Sequence, residues 1–165
     1  MLGIAQPRKL KRMPNTYTQL FIHVVFAIKG RESVIQKQHR ELLQKYITTT
    51  LQNDGHKMMA IFCMPDHIHF LVGLNPSVSI SNMVLDVKRA STNFINEKKL
   101  VAGHFNWQKG FGAFSYSKSQ VPDVCKYIAS QEEHHRKRTI KEEYVELLRL
   151  FEVEFEEKYL FEFVD

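Results

Sequence analysis

Hydrophobic and polar positions change their spacing along this chain, and the changes mark its predicted elements. Three stretches are dense in aromatic, β-branched and other apolar side chains and end at Gly, Pro or Asp, as β-strands do. These predicted strands cover residues 16–30, 56–64 and 67–74, and a Pro65–Asp66 turn joins the last two as a hairpin. A shorter strand is predicted at residues 113–117.

Between the strands, apolar side chains recur every three or four residues, which is the spacing of amphipathic helices. The predicted helices cover residues 33–53, a segment from a cap at Ser77 or Ser79 to about Lys99, a segment from about Ser119 to residue 137, and residues 140–151. The order β-α-β-β-α-β-α is typical of a ferredoxin-like βαββαβ sandwich, an α+β fold with an antiparallel sheet. We expect helices on one face of that sheet and a free face that binds a ligand.

Charge is distributed unevenly along the chain. The net charge is +5, but residues 1–141 carry 21 Lys and Arg against 9 Asp and Glu, whereas residues 142–165 carry 2 against 9. A basic body favours polyanionic partners such as nucleic acid, although a basic surface that only confers solubility has the same composition. We divide the chain into a flexible basic lead (1–14), a main domain (15–137) and a C-terminal helix with an acidic tail (138–165). The tail either packs on the body or shields its basic surface.

The sequence predicts no membrane segment. The longest apolar run, Leu20–Ile28, is shorter than the roughly 18 apolar residues of a membrane span and contains His23. The first residues lack the apolar core of a secretory signal. We therefore expect a cytoplasmic protein with no membrane partner.

Two histidines, His67 and His69, stand at the start of the third predicted strand with Ile68 between them. Because side chains alternate along a strand, both imidazoles point to one face, with Cα atoms roughly 6.5–7 Å apart, while Ile68 points into the opposite layer. Two imidazoles so placed can bind one ion, but a pair of this kind alone is more often two partly exposed histidines. The pair indicates a site only if a third ligand and a reacting group are available.

The helix that follows residue 119 offers both groups. Tyr127 and Gln131 are four residues apart and share a helix face, so a phenol nucleophile and an amide oxygen ligand are neighbours. Two imidazoles and one amide oxygen leave positions for substrate oxygens on Mg²⁺ or Mn²⁺. Without the histidines, Tyr127 would be interpreted as a core residue and Gln131 as a surface amide. His134 and His135 either join the site or cap the helix end.

The order of these motifs resembles that of single-tyrosine HUH transposases of the IS200/IS605 type, including their REP-associated relatives. The matching blocks, which span about residues 16–136, are YTQLFIHVVFAIKGRE, MPDHIHFLV, VKRASTNFIN, FNWQKGFGAFSYSKS and YIASQEEHH. The resemblance implies an enzyme that cuts and rejoins single-stranded DNA through a covalent 5′-phosphotyrosine, with the main domain as its catalytic domain. It implies that His67, His69 and Gln131 hold the ion and that Tyr127 is the nucleophile.

The same resemblance implies a homodimer acting on single-stranded or hairpin DNA, in which the tyrosine helix of one chain completes the histidine site of the other. We expect basic side chains to neutralise DNA phosphates and an aromatic ring to stack on unpaired bases. The candidates are Lys29, Arg31, Lys88, Arg89 and Trp107. For the aromatic residue, ordinary core packing is the alternative.

Other functions remain open at this point. A non-catalytic module that binds single-stranded nucleic acid would use the same sheet, but it leaves the histidine pair and the Tyr127–Gln131 spacing unexplained. A related HUH nuclease of plasmid transfer or rolling-circle replication is usually a longer chain. A domesticated copy that processes chromosomal hairpin repeats is compatible with every residue.

Overall fold

The computed structural model describes residues 15–30 and 34–161 of the 165-residue chain. The predicted basic lead and the predicted DNA contact Arg31 lie outside the described residues. The regular elements are β1 (Phe21–Ala27), α1 (Lys37–Asn53), β2 (Lys57–Cys63), β3 (His67–Gly73), α2 (Ile80–Lys98), β4 (Gly112–Tyr116), α3 (Val121–Ala129), α4 (Gln131–His134) and α5 (Ile140–Leu150). Within these ranges no helix is both long and apolar enough to cross a membrane.

The four strands form one antiparallel sheet in the order β2-β3-β1-β4, which confirms the predicted ferredoxin-like α+β fold. The central strand β1 pairs with β3 on one side and with β4 on the other, so that Val25 lies opposite both His69 and Gly112. This register places the start of β3 beside the end of β1. It therefore decides which side chains surround the histidine pair.

One face of the sheet carries an apolar core beneath α1 and α2. Phe26, Ile68 and Phe70 are fully buried and share a cluster with the inner residues of both helices. Across the helix pair, the rings of Tyr46 and Phe94 stack with centroids 4.0 Å apart. Ile68 thus points into the layer opposite the histidines, as strand alternation predicts.

The other face of the sheet is not free, so that expectation is wrong. Helix α3 packs there with Val124 and Ile128 against Leu71 of β3. Helix α5 approaches the same face at Gly112, where an added Cβ would lie 2.6 Å from a ring carbon of Tyr144. Helices that follow the βαββαβ unit must also bury their apolar sides, and the uncovered sheet face is the surface that accepts them.

Most predicted elements are confirmed, with shorter ends. The first strand is regular only over Phe21–Ala27 instead of residues 16–30, because β1 pairs with seven residues of β3. Helix α1 begins at Lys37. Of the two proposed caps for α2, Ser79 is the one used, since its Oγ accepts a hydrogen bond from the Asn82 N–H at 3.1 Å.

The single helix predicted over residues 119–137 is interrupted, which corrects the sequence interpretation. Helix α3 ends at Ala129, Ser130 adopts φ −98° and ψ 20°, and α4 begins at Gln131. The Ser130 hydroxyl donates a hydrogen bond to the Lys126 carbonyl at 2.8 Å, which also accepts from the Ser130 N–H at 3.0 Å. Such serine hydroxyl bonds often bend helices.

Candidate metal and tyrosine site

Three fully buried histidines line the sheet face beneath α3, α4 and α5. They are His23 on β1 and His67 and His69 on β3, each 0% exposed. The ring centroids of His67 and His69 are 5.1 Å apart, and those of His23 and His69 are also 5.1 Å apart. The predicted common orientation of His67 and His69 is therefore confirmed. His23, which lies inside an apolar run, is an addition that the sequence did not reveal.

Each histidine of the β3 pair is oriented through its Nδ1 atom. The Asp66 carboxylate oxygen lies 2.6 Å from Nδ1 of His67, and Nε2 of His23 lies 2.8 Å from Nδ1 of His69. If Nδ1 carries the proton and donates in both contacts, the Nε2 lone pairs of His67 and His69 are free to bind a metal. Partners behind the ligating ring are a regular feature of histidine metal sites because they hold its tautomer and direction.

Burial controls the charge of these groups. It lowers the pKa of His23 to about 4 and that of His69 well below its ordinary value. Burial alone would raise the pKa of Asp66, but its hydrogen bond with His67, a backbone hydrogen bond and the electrostatic effect of nearby imidazoles lower the pKa overall. At neutral pH, His23 and His69 are therefore neutral and Asp66 is a carboxylate.

Tyr127 and Gln131 lie beside these histidines within one chain. The Tyr127 ring centroid is 6.1 Å from that of His69 and 6.2 Å from that of His23. Both side chains donate to one oxygen of Glu143: the Tyr127 hydroxyl donates to Oε1, and Gln131 Nε2 donates to the same atom at 3.1 Å. The structure thus brings the predicted nucleophile, the amide and the histidine pair into a single pocket.

Glu143 projects into the pocket from the buried side of α5 and is 6% exposed. Burial raises its pKa to about 8, and repulsion from Glu146 and Asp66 adds to this shift. Its Oε1 lies 3.6 Å from Nε2 of His69, and its Oε2 lies 2.7 Å from Nε2 of His135. Oε2 of Glu143 and Nε2 of His135 lie close together without hydrogen-bond geometry.

These side chains fit a divalent cation. One ligand atom from each of His67, His69, His135 and Glu143 lies within 4.8 Å of the others. Five buried polar atoms here have no hydrogen-bond partner among the residues described: Nε2 of His67, His69 and His135, Oε2 of Glu143 and Oε1 of Gln131. Buried polar atoms left unpaired destabilise a fold unless another group, here an ion, satisfies them.

The predicted ligand set is brought together only partly. His67 and His69 face a common point, and Gln131 borders it, but the amide nitrogen of Gln131 is directed at Glu143. Of the two histidines left open by the sequence, His135 joins the cluster, whereas His134 lies 3.0 Å from the Ser130 hydroxyl.

Glu143 was missed, although the sequence contained a signal for it. It lies at helical spacing between the buried Ile140 and Leu147, on the apolar side of α5. A carboxylate on an apolar helix face is unusual and points to a paired or ligating role.

Among the predicted DNA contacts, Lys29 and Arg89 are exposed, but Lys88 is engaged within the protein. The Lys88 ammonium donates to the carbonyl of Gln108 at 2.7 Å and to that of Gly110, and it lies 4.9 Å from the centroid of the Phe26 ring. Burial lowers its pKa to about 8. The Lys88 ammonium therefore binds the loop before β4.

Trp107 packs in the core, which agrees with the alternative to base stacking. It is 8% exposed, and its indole N–H donates to the Ser91 hydroxyl at 2.8 Å. Phe26 and Phe105 meet its ring edge-on, with centroids 4.8 Å away in both cases. Most of the ring is therefore packed against the protein.

A basic run between α4 and α5 was also missed as a candidate DNA contact. Arg136, Lys137 and Arg138 are exposed and border two cavities. The larger, about 610 Å³, is lined by Tyr127 and Glu143 together with Lys137 and Arg138. Cations at the mouth of a cavity that contains a nucleophile can steer a phosphate backbone towards it.

Comparison with known proteins decides the family. The family model described as "Transposase IS200 like" matches residues 16–131. The chain belongs to the IS200-like transposases. The ISDra2 transposase TnpA of Deinococcus radiodurans is 25% identical over 137 residues, which cover 79% of this chain and 97% of that protein. This confirms the resemblance read from the motifs and makes the chain a DNA transposase.

Two solved structures of transposases share the fold of this IS200-like chain. A crystal structure named as a transposase of Deinococcus radiodurans R1 has a TM-score of 0.56 and 22% identity, covering 74% of this chain and 98% of the other. A REP-associated tyrosine transposase bound to a REP hairpin has a TM-score of 0.55 and 16% identity, covering 73% and 71%. At these identities the likeness concerns the fold.

Proposed function

We propose that this chain is a metal-dependent transposase that cleaves and rejoins single-stranded DNA through a covalent 5′-phosphotyrosine at Tyr127. The observation that carries the proposal is the position of the Tyr127 phenol beside the oriented histidines of β3 in one buried pocket. Family membership supports the reaction class, and the pocket supports the assignment of residues.

In the proposed cleavage step, the Tyr127 hydroxyl oxygen attacks a phosphorus atom of the DNA backbone. A new bond joins that oxygen to phosphorus, the bond from phosphorus to the 3′ oxygen breaks, and the 3′ oxygen leaves as a hydroxyl. The phenolic proton passes along the hydrogen bond to Oε1 of ionised Glu143, which can return it to the departing 3′ oxygen. The 5′ phosphate stays on the protein as a phosphodiester of tyrosine.

Rejoining is the same reaction in reverse. The 3′ hydroxyl of the original or another strand attacks the phosphotyrosine, forms a new phosphodiester and releases the Tyr127 hydroxyl. Because the energy of the broken bond is kept in the tyrosine ester, no nucleotide cofactor is needed. Strand transfer therefore requires only that a different 3′ hydroxyl reaches the pocket.

The ion would be held by His67 and His69, with Gln131 as the amide ligand predicted from the sequence. Mg²⁺ or Mn²⁺ bound there would polarise the scissile phosphate and offset the negative charge that grows in the transition state. Asp66 and His23 keep the two imidazoles pointed at the ion.

The proposed substrate is single-stranded DNA that carries a hairpin. The REP hairpin in one structural relative supports this choice. We propose that the exposed Arg136, Lys137 and Arg138 contact backbone phosphates beside the pocket and that Lys29 and Arg89 contact more distant ones. Access to such DNA agrees with the cytoplasmic location predicted from the sequence.

The test is covalent capture of DNA. Labelled hairpin DNA from the sequence that flanks the gene is incubated with the protein and Mn²⁺ or Mg²⁺, and an SDS-resistant protein–DNA adduct is measured. We expect the adduct with the wild-type chain, and its loss in Tyr127→Phe and in His67→Ala. Tyr116→Phe, which alters a tyrosine on the same cavity wall, serves as the matched control. An adduct that survives Tyr127→Phe would reject the proposed nucleophile.

The homodimer with exchanged tyrosine helices stays a prediction from the resemblance, because one chain is sufficient to place Tyr127 beside its own histidines. Mixing the two inactive variants separates the arrangements. If helices are exchanged between chains, Tyr127→Phe mixed with His67→Ala recovers adduct at an intact composite site. If each chain uses its own tyrosine, the mixture stays inactive.

A further inference from the structure

Two residues at the candidate metal site lie beyond the stretch matched by the family model. His135 and Glu143 follow residue 131, where that match ends. Both nevertheless place a ligand atom within 4.8 Å of ligand atoms from His67 and His69. This chain thus offers an ion two ligands in addition to the histidine pair of β3 and the Gln131 amide that its motifs predict.

Glu143 is held in place by a well-anchored helix. The Thr139 hydroxyl caps α5 by accepting from the Glu142 N–H, and the Glu142 side chain accepts from the Thr139 N–H in return. One residue further along α5, the Tyr144 ring packs over Gly112 of the sheet. The carboxylate therefore points into the pocket because of the docking of α5, and its position does not depend on a flexible loop.

The carboxylate has one satisfied and one unsatisfied oxygen. Its Oε1 accepts from the Tyr127 hydroxyl and from Gln131 Nε2. Its Oε2 has no hydrogen-bond partner among the residues described and lies 2.7 Å from the equally unpartnered Nε2 of His135. A cation satisfies both atoms at once.

We propose that His67, His69, His135 and Glu143 together bind one divalent transition-metal ion, such as Mn²⁺, in preference to Mg²⁺. Imidazole nitrogens suit transition metals, whereas Mg²⁺ favours oxygen ligands and retains its water molecules. With three imidazoles and a single carboxylate, this donor set disfavours Mg²⁺. The inference rests on the metal-dependent function proposed above and specifies the ion of that site.

The experiment measures ion binding by the full-length protein without DNA. Protein stripped with a chelator is titrated with Mn²⁺ and, separately, with Mg²⁺ in a calorimeter. We expect one Mn²⁺ per chain, bound at least about tenfold more tightly than Mg²⁺. Pulsed electron paramagnetic resonance of the Mn²⁺ complex then counts directly bound nitrogens, with three expected.

Matched variants assign the ligands. Glu143→Gln and His135→Ala should each weaken Mn²⁺ binding by at least about tenfold, and His135→Ala should reduce the nitrogen count from three to two. Glu133→Gln and His134→Ala on α4 change the same residue types outside the ligand set and should bind Mn²⁺ like the wild-type chain. Thermal melting without metal identifies a variant that fails to fold, and the nitrogen count of the wild-type protein then decides.

Equal affinity for Mn²⁺ and Mg²⁺, or a nitrogen count of two in the wild-type protein, would overturn the inference. So would Mn²⁺ binding of wild-type strength in folded Glu143→Gln and His135→Ala. None of these results affects the covalent adduct assay, which tests Tyr127 independently. A wild-type adduct with a magnesium-competent site would retain the proposed function and remove only the ion preference.

Discussion

The two faces of the sheet use the same strands in opposite ways. On the face beneath α1 and α2, Ile68 and Phe70 fill an apolar core. On the face beneath α3 and α5, His67 and His69 from the same strand are just as buried, yet their Nε2 atoms have no hydrogen-bond partner among the described residues. One face is packed for stability, and the other keeps polar atoms available at a cost in stability.

This contrast shows how a small domain separates folding from chemistry. Period-two alternation along β3 sends each kind of side chain to its own layer. Burial of apolar side chains such as Ile68 and Phe70 can offset the cost of the unsatisfied polar atoms on the other face. Substitutions on the two faces should therefore have opposite signatures in stability and in ion binding.

The largest difference should come from replacing two adjacent residues of β3, one on each face of the sheet, by alanine. Without metal, Ile68→Ala should lower the free energy of unfolding by about 3 kcal/mol, the usual result of a cavity in a packed core. His69→Ala should cost clearly less, about 1 kcal/mol, because it also removes an unpaired buried nitrogen. Urea unfolding in a chelating buffer measures both.

Adding Mn²⁺ sharpens the same comparison. An ion present at 100 times its dissociation constant stabilises the folded state by about 2.7 kcal/mol. Ile68→Ala should keep this gain and His69→Ala should lose it. Metal stabilisation that persists in His69→Ala would place the ion elsewhere.

A fall in pH should destabilise the histidine face next most strongly. The folded-state pKa of His23 is about 4, below the ordinary value of 6.5, so the folded state binds fewer protons than the unfolded chain between these values. The contribution of His23 to the free energy of unfolding is therefore fully present above about pH 6.5. It falls by about 3 kcal/mol as the pH decreases towards 4. Metal-free urea unfolding at pH 7 and pH 5 should show the loss, reduced in His23→Phe. The exposed His104→Gln should retain the wild-type pH dependence.

Gly112→Ala should loosen the contact that docks α5. Its Cβ would lie 2.6 Å from the Tyr144 ring and 3.0 Å from a methyl group of Val25, so we expect a loss of about 1–3 kcal/mol and weaker Mn²⁺ binding. Gly73→Ala, whose Cβ would come no closer than 3.3 Å to Lys57, is the control. Replacing the Tyr144 ring by the smaller side chain of Tyr144→Leu in the Gly112→Ala background should restore part of the lost stability. No recovery in the double variant would mean that α5 docks by other contacts.

The smallest effects should be those of the exposed cations. Lys29→Gln and Arg89→Gln should each weaken binding of hairpin DNA severalfold and reduce its salt dependence by about 0.7 in log–log slope for single strands. Trp107→Phe should leave DNA affinity unchanged, because the ring is buried against Phe26 and Phe105. Fluorescence anisotropy at several salt concentrations measures all three. A large loss of affinity in Trp107→Phe would contradict its assignment to the core.

Local rules were sufficient for the part of the site that lies on one strand. The common direction of His67 and His69 follows from alternation alone, and the four-residue spacing of Tyr127 and Gln131 kept them in one pocket despite the break at Ser130. The identity of the fold followed from the order of elements in the same way.

Contacts between distant segments set the rest of the site. His23 reaches His69 only because of the β1–β3 register, and Glu143 reaches the pocket only because α5 docks at Gly112. The β1–β3 register leaves no periodic signal in the sequence, and the helical spacing of Glu143 indicates its helix face but not the pocket that it reaches. The intramolecular contacts of Lys88 and Trp107 were not predicted for the same reason, since residues far along the chain bind their polar groups.

The most direct test of the account is the chemical position of the DNA on the protein. The covalent adduct is digested with nuclease and trypsin, and the peptide that retains a nucleotide is sequenced by tandem mass spectrometry. Cleavage after Lys126 and Arg136 separates Tyr127 from Tyr116, which lies in another peptide. We predict a nucleotide phosphate on Tyr127 and nowhere else. A nucleotide on Tyr116, or on any residue other than Tyr127, would contradict the account.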